Sequence, residues 1–216
     1  TITFQNYFRM YEKLSGMTFE ETRQAYERRS RDYIAMFPSI SATDPEDRYL
    51  IQAWATAQTG PILDVGCGPG HWTGWLHGQG LDIEGIDPVP AFIDQARLNH
   101  PEVRFRVGRA EALGVETSSL AGILAWYSVI HTDPELLGET FSEFARALRP
   151  GGGLCVGFFA GRDLAPFEHP VSEAYFWPVS RLGDVIERAG FSVTSTQLRQ
   201  DPGARNHAAT LAHRNP

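Results

Sequence analysis

The chain has 216 residues, a net charge of −7, 42% hydrophobic and 21% charged content, the make-up of one globular domain with a full core. The acidic balance argues against a broad electrostatic footprint for nucleic acid, and two cysteines are too few for a disulfide framework or a zinc site. No apolar run is long enough to cross a bilayer and no signal-like stretch opens the chain, so the expected location is cytoplasmic.

The residues up to 58 read as helical. Phe4, Tyr7, Phe8, Tyr11 and Leu14 follow the spacing of one buried helix face. Thr18 and Glu21 form a capping box that opens a second helix, which Pro38 must end. Tyr26 and Tyr33 share one face of it. Asp44-Pro45-Glu46-Asp47 supplies an N-cap, a proline at N1 and an acidic first turn for a third helix. Leu50, Ile51 and Trp54 point inward from it before Thr59-Gly60-Pro61 stops it.

From residue 61 short apolar strands alternate with amphipathic helices, the pattern of a parallel sheet. The first strand, near 61–65, runs into the glycine-rich turn Gly66-Cys67-Gly68-Pro69-Gly70, which lets backbone approach a ligand closely. The spacing Gly-x-Gly-x-Gly differs from the dinucleotide fingerprint, and Asp64 precedes it. A carboxylate there repels a pyrophosphate and suits a ligand carrying ammonium or sulfonium charge, which favours S-adenosylmethionine over NAD. A second strand, near 81–86, ends at Asp87, about twenty residues beyond the loop, where an acid can hold the vicinal hydroxyls of a ribose.

The helix through Phe92, Ile93 and Ala96 must end before Pro101, and Val103 to Val107 reads as a strand near the sheet edge. A fourth strand is expected near 120–126, a helix from Asp133-Pro134-Glu135, and a fifth strand from Leu154 to Phe159. Residues 160–177 read as an irregular loop. A helix near 178–189 ends at Gly190, and strands near 191–198 and 207–213 close an antiparallel hairpin through Gln200-Asp-Pro-Gly203.

In five segments the chain resembles the class I S-adenosylmethionine-dependent methyltransferases of the small bacterial, small-molecule type. They are Leu63-Asp-Val-Gly-Cys-Gly-Pro-Gly70, Gly85-Ile-Asp-Pro88, Gly108-Arg-Ala-Glu111, Trp126-Tyr-Ser-Val-Ile-His131 and Leu148-Arg-Pro-Gly-Gly152. The resemblance covers roughly residues 45 to 213. It implies an α/β fold: a Rossmann-like, doubly wound, seven-stranded, mostly parallel sheet with an antiparallel C-terminal hairpin and N-terminal lid helices. One domain is expected over 1–216, with 1–58 as the helical lid and 59–216 as the core.

The resemblance also implies the cofactor contacts. Gly66 and Gly68 would pass near the methionine portion, Gly70 would complete the cofactor-binding turn, and Asp64 would act on the ammonium through a water or nearby backbone. Asp87 would bind the ribose, Pro88 would pack near the adenine, and Ala110 and Glu111 would reach it. Arg109 stands where the family often has an aspartate, which shifts the expected contact to Glu111. Ala125 and Trp126 would lie beside the sulfonium. Trp72 either covers the methionine moiety or is core, and Tyr33 either closes the pocket or packs on the sheet domain.

On the acceptor side the expected residues are Tyr127, His169, Tyr175 and Trp177. His131 is a candidate general base, or a structural histidine holding the next helix. No metal set is present in the pattern. The expected activity is methyl transfer from S-adenosylmethionine to oxygen, nitrogen or carbon of a small molecule, releasing S-adenosylhomocysteine. Partners would be a small acceptor, no nucleic acid and no membrane, with the chain a monomer or homodimer. The alternatives are a protein that binds S-adenosylmethionine or S-adenosylhomocysteine without transfer, and an NAD-dependent oxidoreductase.

Overall fold

The computed structural model describes residues 18–36, 39–200 and 203–216; side chains of residues 31–36 lie outside that description, as do the expected helix over Phe4 to Leu14 and part of the turn at 200–203. Helix α1 spans Phe19–Met36. Its capping box forms as expected, the Glu21 carboxylate accepting from Thr18 N–H at 2.7 Å and the Thr18 hydroxyl from Glu21 N–H at 3.3 Å. Helix α2, Pro45–Thr56, begins where the Asp44 carboxylate accepts from Glu46 N–H, and it buries Leu50, Ile51, Trp54 and Ala55.

The alternating part follows. Strand β1 (Ile62–Val65), α3 (His71–His77), β2 (Ile83–Asp87), α4 (Pro90–Asn99), β3 (Arg104–Val107) and β4 (Leu120–Trp126) come first. Helix α5 (Leu137–Ala147) and β5 (Leu148–Phe159) complete the parallel set, and α6 (Val179–Arg188) precedes the closing hairpin of β8 (Phe191–Arg199) and β9 (His207–Arg214). The sheet order is β3-β2-β1-β4-β5-β9-β8, with the first five strands parallel and β9 antiparallel to both neighbours. This is the expected Rossmann-like sheet, with its order reversing between β1 and β4.

Three details differ from the sequence pattern, the first being that β5 begins at Leu148 and not at Leu154. Asp133 caps a turn, through its side chain on Glu135 N–H, but α5 starts only at Leu137. Residues 160–177 are not wholly irregular: β6 (Ala165–Phe167) pairs antiparallel with β7 (Ala174–Phe176), and the Phe167 and Phe176 rings stack at 4.2 Å. Strands of three residues carry no alternation long enough to register in the sequence.

The period of two along each strand sorts the core onto both faces of the sheet. Leu63, Val65, Ile123, Leu154 and Val156 meet Phe141 and Phe144 of α5 and Leu182 and Ile186 of α6. Their neighbours Ile62, Leu124 and Cys155 face Ile51 and Trp54 of α2 and Trp72 and Leu76 of α3. Among the described residues no helix is long and apolar enough to cross a membrane.

Candidate active site

The reversal of strand order opens a crevice at the carboxyl ends of β1, β2 and β4, the place where open α/β sheets bind ligands. The glycine turn is anchored there by Gly66 N–H and Cys67 N–H, both donating to Ile86 O, at 2.8 and 3.0 Å. Gly66 (φ +74°) and Gly70 (φ +84°) lie in the left-handed region. A Cβ on Gly66 would stand 2.2 Å from Ser128 Cβ, so only glycine lets this turn close onto the end of β4.

Asp87 ends β2 with both carboxylate oxygens engaged: Oδ2 accepts from Gly68 N–H at 2.9 Å and Oδ1 from Val89 N–H at 2.8 Å. Burial pushes its pKa up to about 6, against the pull of those two amides. Asp64 is buried one strand away, accepts from the Thr73 hydroxyl at 2.7 Å, and is pushed up to about 7, mainly by desolvation. Beyond β4 the chain turns sharply at Tyr127, a non-glycine residue at φ +55°. Its hydroxyl meets His207 Nδ1, and the next residue, Ser128, holds a buried hydroxyl with no partner among the described residues.

These elements enclose a cavity of about 570 Å³, within the range of small-molecule sites. From the cofactor set it gathers Gly66, Gly68, Asp87, Pro88, Ala110, Glu111 and Trp126; from the acceptor set, Tyr127, Tyr175 and His131. Other expected residues stand outside the lining. Asp64 sits behind the glycine turn on Thr73, and Gly70 packs against Phe105 and Ala96. Trp72, Ala125 and Trp177 are core residues. His169 stacks edge-on behind His131, ring centroids 4.9 Å apart. Tyr33 belongs to the last turns of α1, where side chains are outside the described residues.

Helix α1 forms one wall. Phe19 lies under the Arg109 guanidinium, 3.7 Å from ring centroid to charge, and Arg109 also meets Glu111 at 3.4 Å. Thr22 and Ser172 hydroxyls stand 3.0 Å apart. Tyr26 packs edge-on against Phe92 of α4 at 5.9 Å, and its hydroxyl reaches His131 Nε2 at 2.8 Å. The Tyr26–Tyr33 spacing marked this helix face in the sequence, but Phe19, Thr22 and Arg23 carried no local signal.

The His131 ring is fixed from both sides. Nδ1 lies 2.7 Å from the Glu173 carbonyl, which can only accept, so Nδ1 carries the proton and Nε2 is the acceptor for Tyr26. Desolvation lowers its pKa to about 4, so the ring is neutral at pH 7. Among the described residues, the charged side chains of the lining are Asp87, Glu111, Asp133 and Glu139 against Arg23 and Arg109. Arg23 is paired with Glu20 at 2.7 Å. Among the described residues no group of histidine, cysteine or carboxylate side chains could hold a metal ion.

Residues 62–152 match the family described as a methyltransferase domain. An uncharacterized methyltransferase of Mycobacterium tuberculosis is 33% identical over 144 residues, covering 65% of this chain and 52% of the relative. The demethylmenaquinone methyltransferase of Beutenbergia cavernae is 28% identical, covering 50% of this chain and 44% of its own length. The chain thus spans about half the length of these curated relatives.

Among solved structures, the 1,6-didemethyltoxoflavin-N1-methyltransferase of Burkholderia thailandensis, solved with bound 1,6-didemethyltoxoflavin and S-adenosylhomocysteine, superposes with a TM-score of 0.73 at 17% identity over 95% of this chain and 94% of that one. The cyclase SpnF superposes with a TM-score of 0.74 at 17% identity over 94% and 99%. Both likenesses are of fold.

Proposed function

We propose that this chain, which carries a class I S-adenosylmethionine-dependent methyltransferase domain, transfers a methyl group to oxygen, nitrogen or carbon of a small-molecule acceptor and releases S-adenosylhomocysteine. The observation that carries the reading is the convergence of the glycine turn, the Asp87 carboxylate and the unpartnered Ser128 hydroxyl on one cavity. A buried hydroxyl without a partner costs about 1–3 kcal/mol, which a polar ligand atom relieves. The lining therefore fits an uncharged diol beside a cationic group.

In this reading Gly66 and Gly68 bring backbone against the methionine portion, with Gly70 and Trp72 supporting the turn from behind. Asp87 holds the ribose diol on the lone pairs its two amide bonds leave. Pro88, Ala110 and Glu111 flank the adenine, and Trp126 with Ala125 behind it bounds the sulfur. Asp64 acts at a distance, one layer below the cavity, and carries its full charge only above about pH 7. The cofactor supplies a methyl group already activated by its sulfonium; the chain supplies alignment and exclusion of water. Within the N-terminal segment up to residue 58, helix α1 acts as the lid, Tyr33 belonging to it, while α2 packs with residues 59–216 into the core of one domain.

Tyr127, Tyr175 and His131 border the acceptor end, with His169 and Trp177 backing them. Among the described residues the four lining carboxylates outnumber the two guanidinium groups, and Arg23 and Arg109 already pair with Glu20 and Glu111. The site therefore suits an uncharged or cationic acceptor. The test is transfer of radiolabelled methyl from S-adenosylmethionine to a panel of phenols, catechols, amines and carbon nucleophiles. Labelled product with matching S-adenosylhomocysteine supports the reading; tight binding with no transfer to any of them supports a non-catalytic binding protein.

A further inference from the structure

We propose that Tyr26, from the lid helix, is the group that meets the acceptor's nucleophile, and that with His131 it forms a one-way hydrogen-bond chain suited to acceptors bearing an O–H or N–H. This rests on the methyltransferase reading above. The chain's direction follows from its end. The Glu173 carbonyl can only accept, so His131 must donate from Nδ1; Nε2 of the neutral ring must then accept, and Tyr26 must donate to it. Having given its proton inward, the phenolic oxygen takes any further hydrogen bond only as an acceptor. Both side chains line the cavity, and Tyr175, whose N–H donates to the Ile130 carbonyl at 3.0 Å, stands next to His131 in that lining.

An acceptor hydroxyl or amine donating to Tyr26 Oη has its nucleophilic lone pair held in a fixed direction. As the new bond from that oxygen or nitrogen to the methyl carbon forms, the sulfur–carbon bond breaks and its electron pair stays on sulfur. The nucleophile's proton passes to Tyr26 Oη while the Tyr26 proton moves to His131 Nε2, leaving an imidazolium that later returns its proton to solvent. Desolvation keeps the ring neutral, so Nε2 offers a lone pair before transfer; the same burial disfavours the imidazolium, so the proton rests there only until it returns outward through Tyr26. His131, approached through Tyr26, is then a positioning residue rather than the group touching substrate.

The test uses the S-adenosylhomocysteine-loaded protein with ¹⁵N-labelled histidine. Wild type is expected to show His131 protonated at Nδ1 and bare at Nε2 at pH 7, and Tyr26→Phe to move the Nε2 resonance downfield as it loses its donor. A proton on Nε2, or an imidazolium at pH 7, would overturn the proposal. On the same panel of phenols, amines and carbon nucleophiles, turnover is expected with O–H or N–H acceptors. Tyr26→Phe should lower kcat about 100-fold while KM for the methyl donor stays within about twofold. Turnover confined to carbon nucleophiles, or a Tyr26→Phe effect on KM alone, would overturn it. Failure of S-adenosylhomocysteine to bind wild type would overturn the underlying reading instead, whatever tautomer His131 shows.

Discussion

Asp87→Asn separates ligand binding from folding, because the two effects of the carboxylate have opposite signs in the free protein. Burial raises the Asp87 pKa from 3.8 to about 6. At about 1.4 kcal/mol per unit, carrying its charge at pH 8 costs the free protein about 3 kcal/mol. The asparagine removes that penalty, but its NH₂ must face either Gly68 N–H or Val89 N–H, and the lost acceptor costs about 1–3 kcal/mol. Free-protein stability should therefore hold or rise slightly. Binding has no such compensation. Losing charge-assisted bonds to a diol costs about 1.5–3 kcal/mol, or about 10- to 150-fold in Kd.

Calorimetric titration of S-adenosylhomocysteine at pH 8, with urea unfolding beside it, reads both. The wild-type affinity should also fall as pH drops through about 6, since the diol favours the ionised carboxylate; Asp87→Asn should lose that component. An affinity within threefold of wild type would remove Asp87 from the ribose role. An affinity loss accompanied by equal destabilisation would make its role structural.

Three further outcomes follow from the same geometry. Gly66→Ala sets a Cβ 2.2 Å from Ser128 Cβ at φ +74°; backbone strain and overpacking should lower the urea unfolding free energy by about 2–5 kcal/mol and abolish S-adenosylhomocysteine binding. His131, at about 4 in the folded chain, should withdraw up to about 3 kcal/mol of stability as pH falls from about 6.5 through about 4, because the unfolded chain takes up the proton first. Asp64 and Asp87, raised to about 7 and about 6, work the other way over an overlapping range. The measurable quantity is thus the pH-dependent difference between wild type and His131→Phe; no difference between pH 7 and pH 4 would contradict a neutral, enclosed ring. Phe19→Leu removes the ring beneath Arg109, worth about 0.5–1 kcal/mol at an exposed site. It should weaken S-adenosylhomocysteine about two- to fivefold in calorimetry, and an unchanged Kd would separate α1 from the cofactor.

Much of the fold was legible because its signals are local. Asp44 before Pro45, Thr18 three residues before Glu21, and the alternation of Leu63, Val65, Ile123 and Val156 against Ile62, Leu124 and Cys155 each act within a few residues. The glycine turn and Asp87 were legible for the same reason, since a left-handed backbone and a strand-end carboxylate leave their mark in residue type. The lid contacts were not. Tyr26 meets His131 across 105 residues and Thr22 meets Ser172 across 150, and nothing near either residue encodes such a pairing. His131 shows the same limit in its chemistry: an isolated histidine titrates near 6.5, but its enclosure and its Glu173 and Tyr26 partners exist only in the fold. Trp72 and Trp177 look alike as aromatic candidates in sequence, and only packing assigns both to the core.

The ligand proposed for the cavity is an adenosyl sulfonium and not a dinucleotide. Side-by-side calorimetric titration of S-adenosylhomocysteine and NAD into the purified wild-type protein tests this most directly. The glycine spacing, Asp64 beneath the turn and Asp87 at its edge predict one-to-one binding of S-adenosylhomocysteine and no heat from NAD. Binding of NAD in preference would contradict the account.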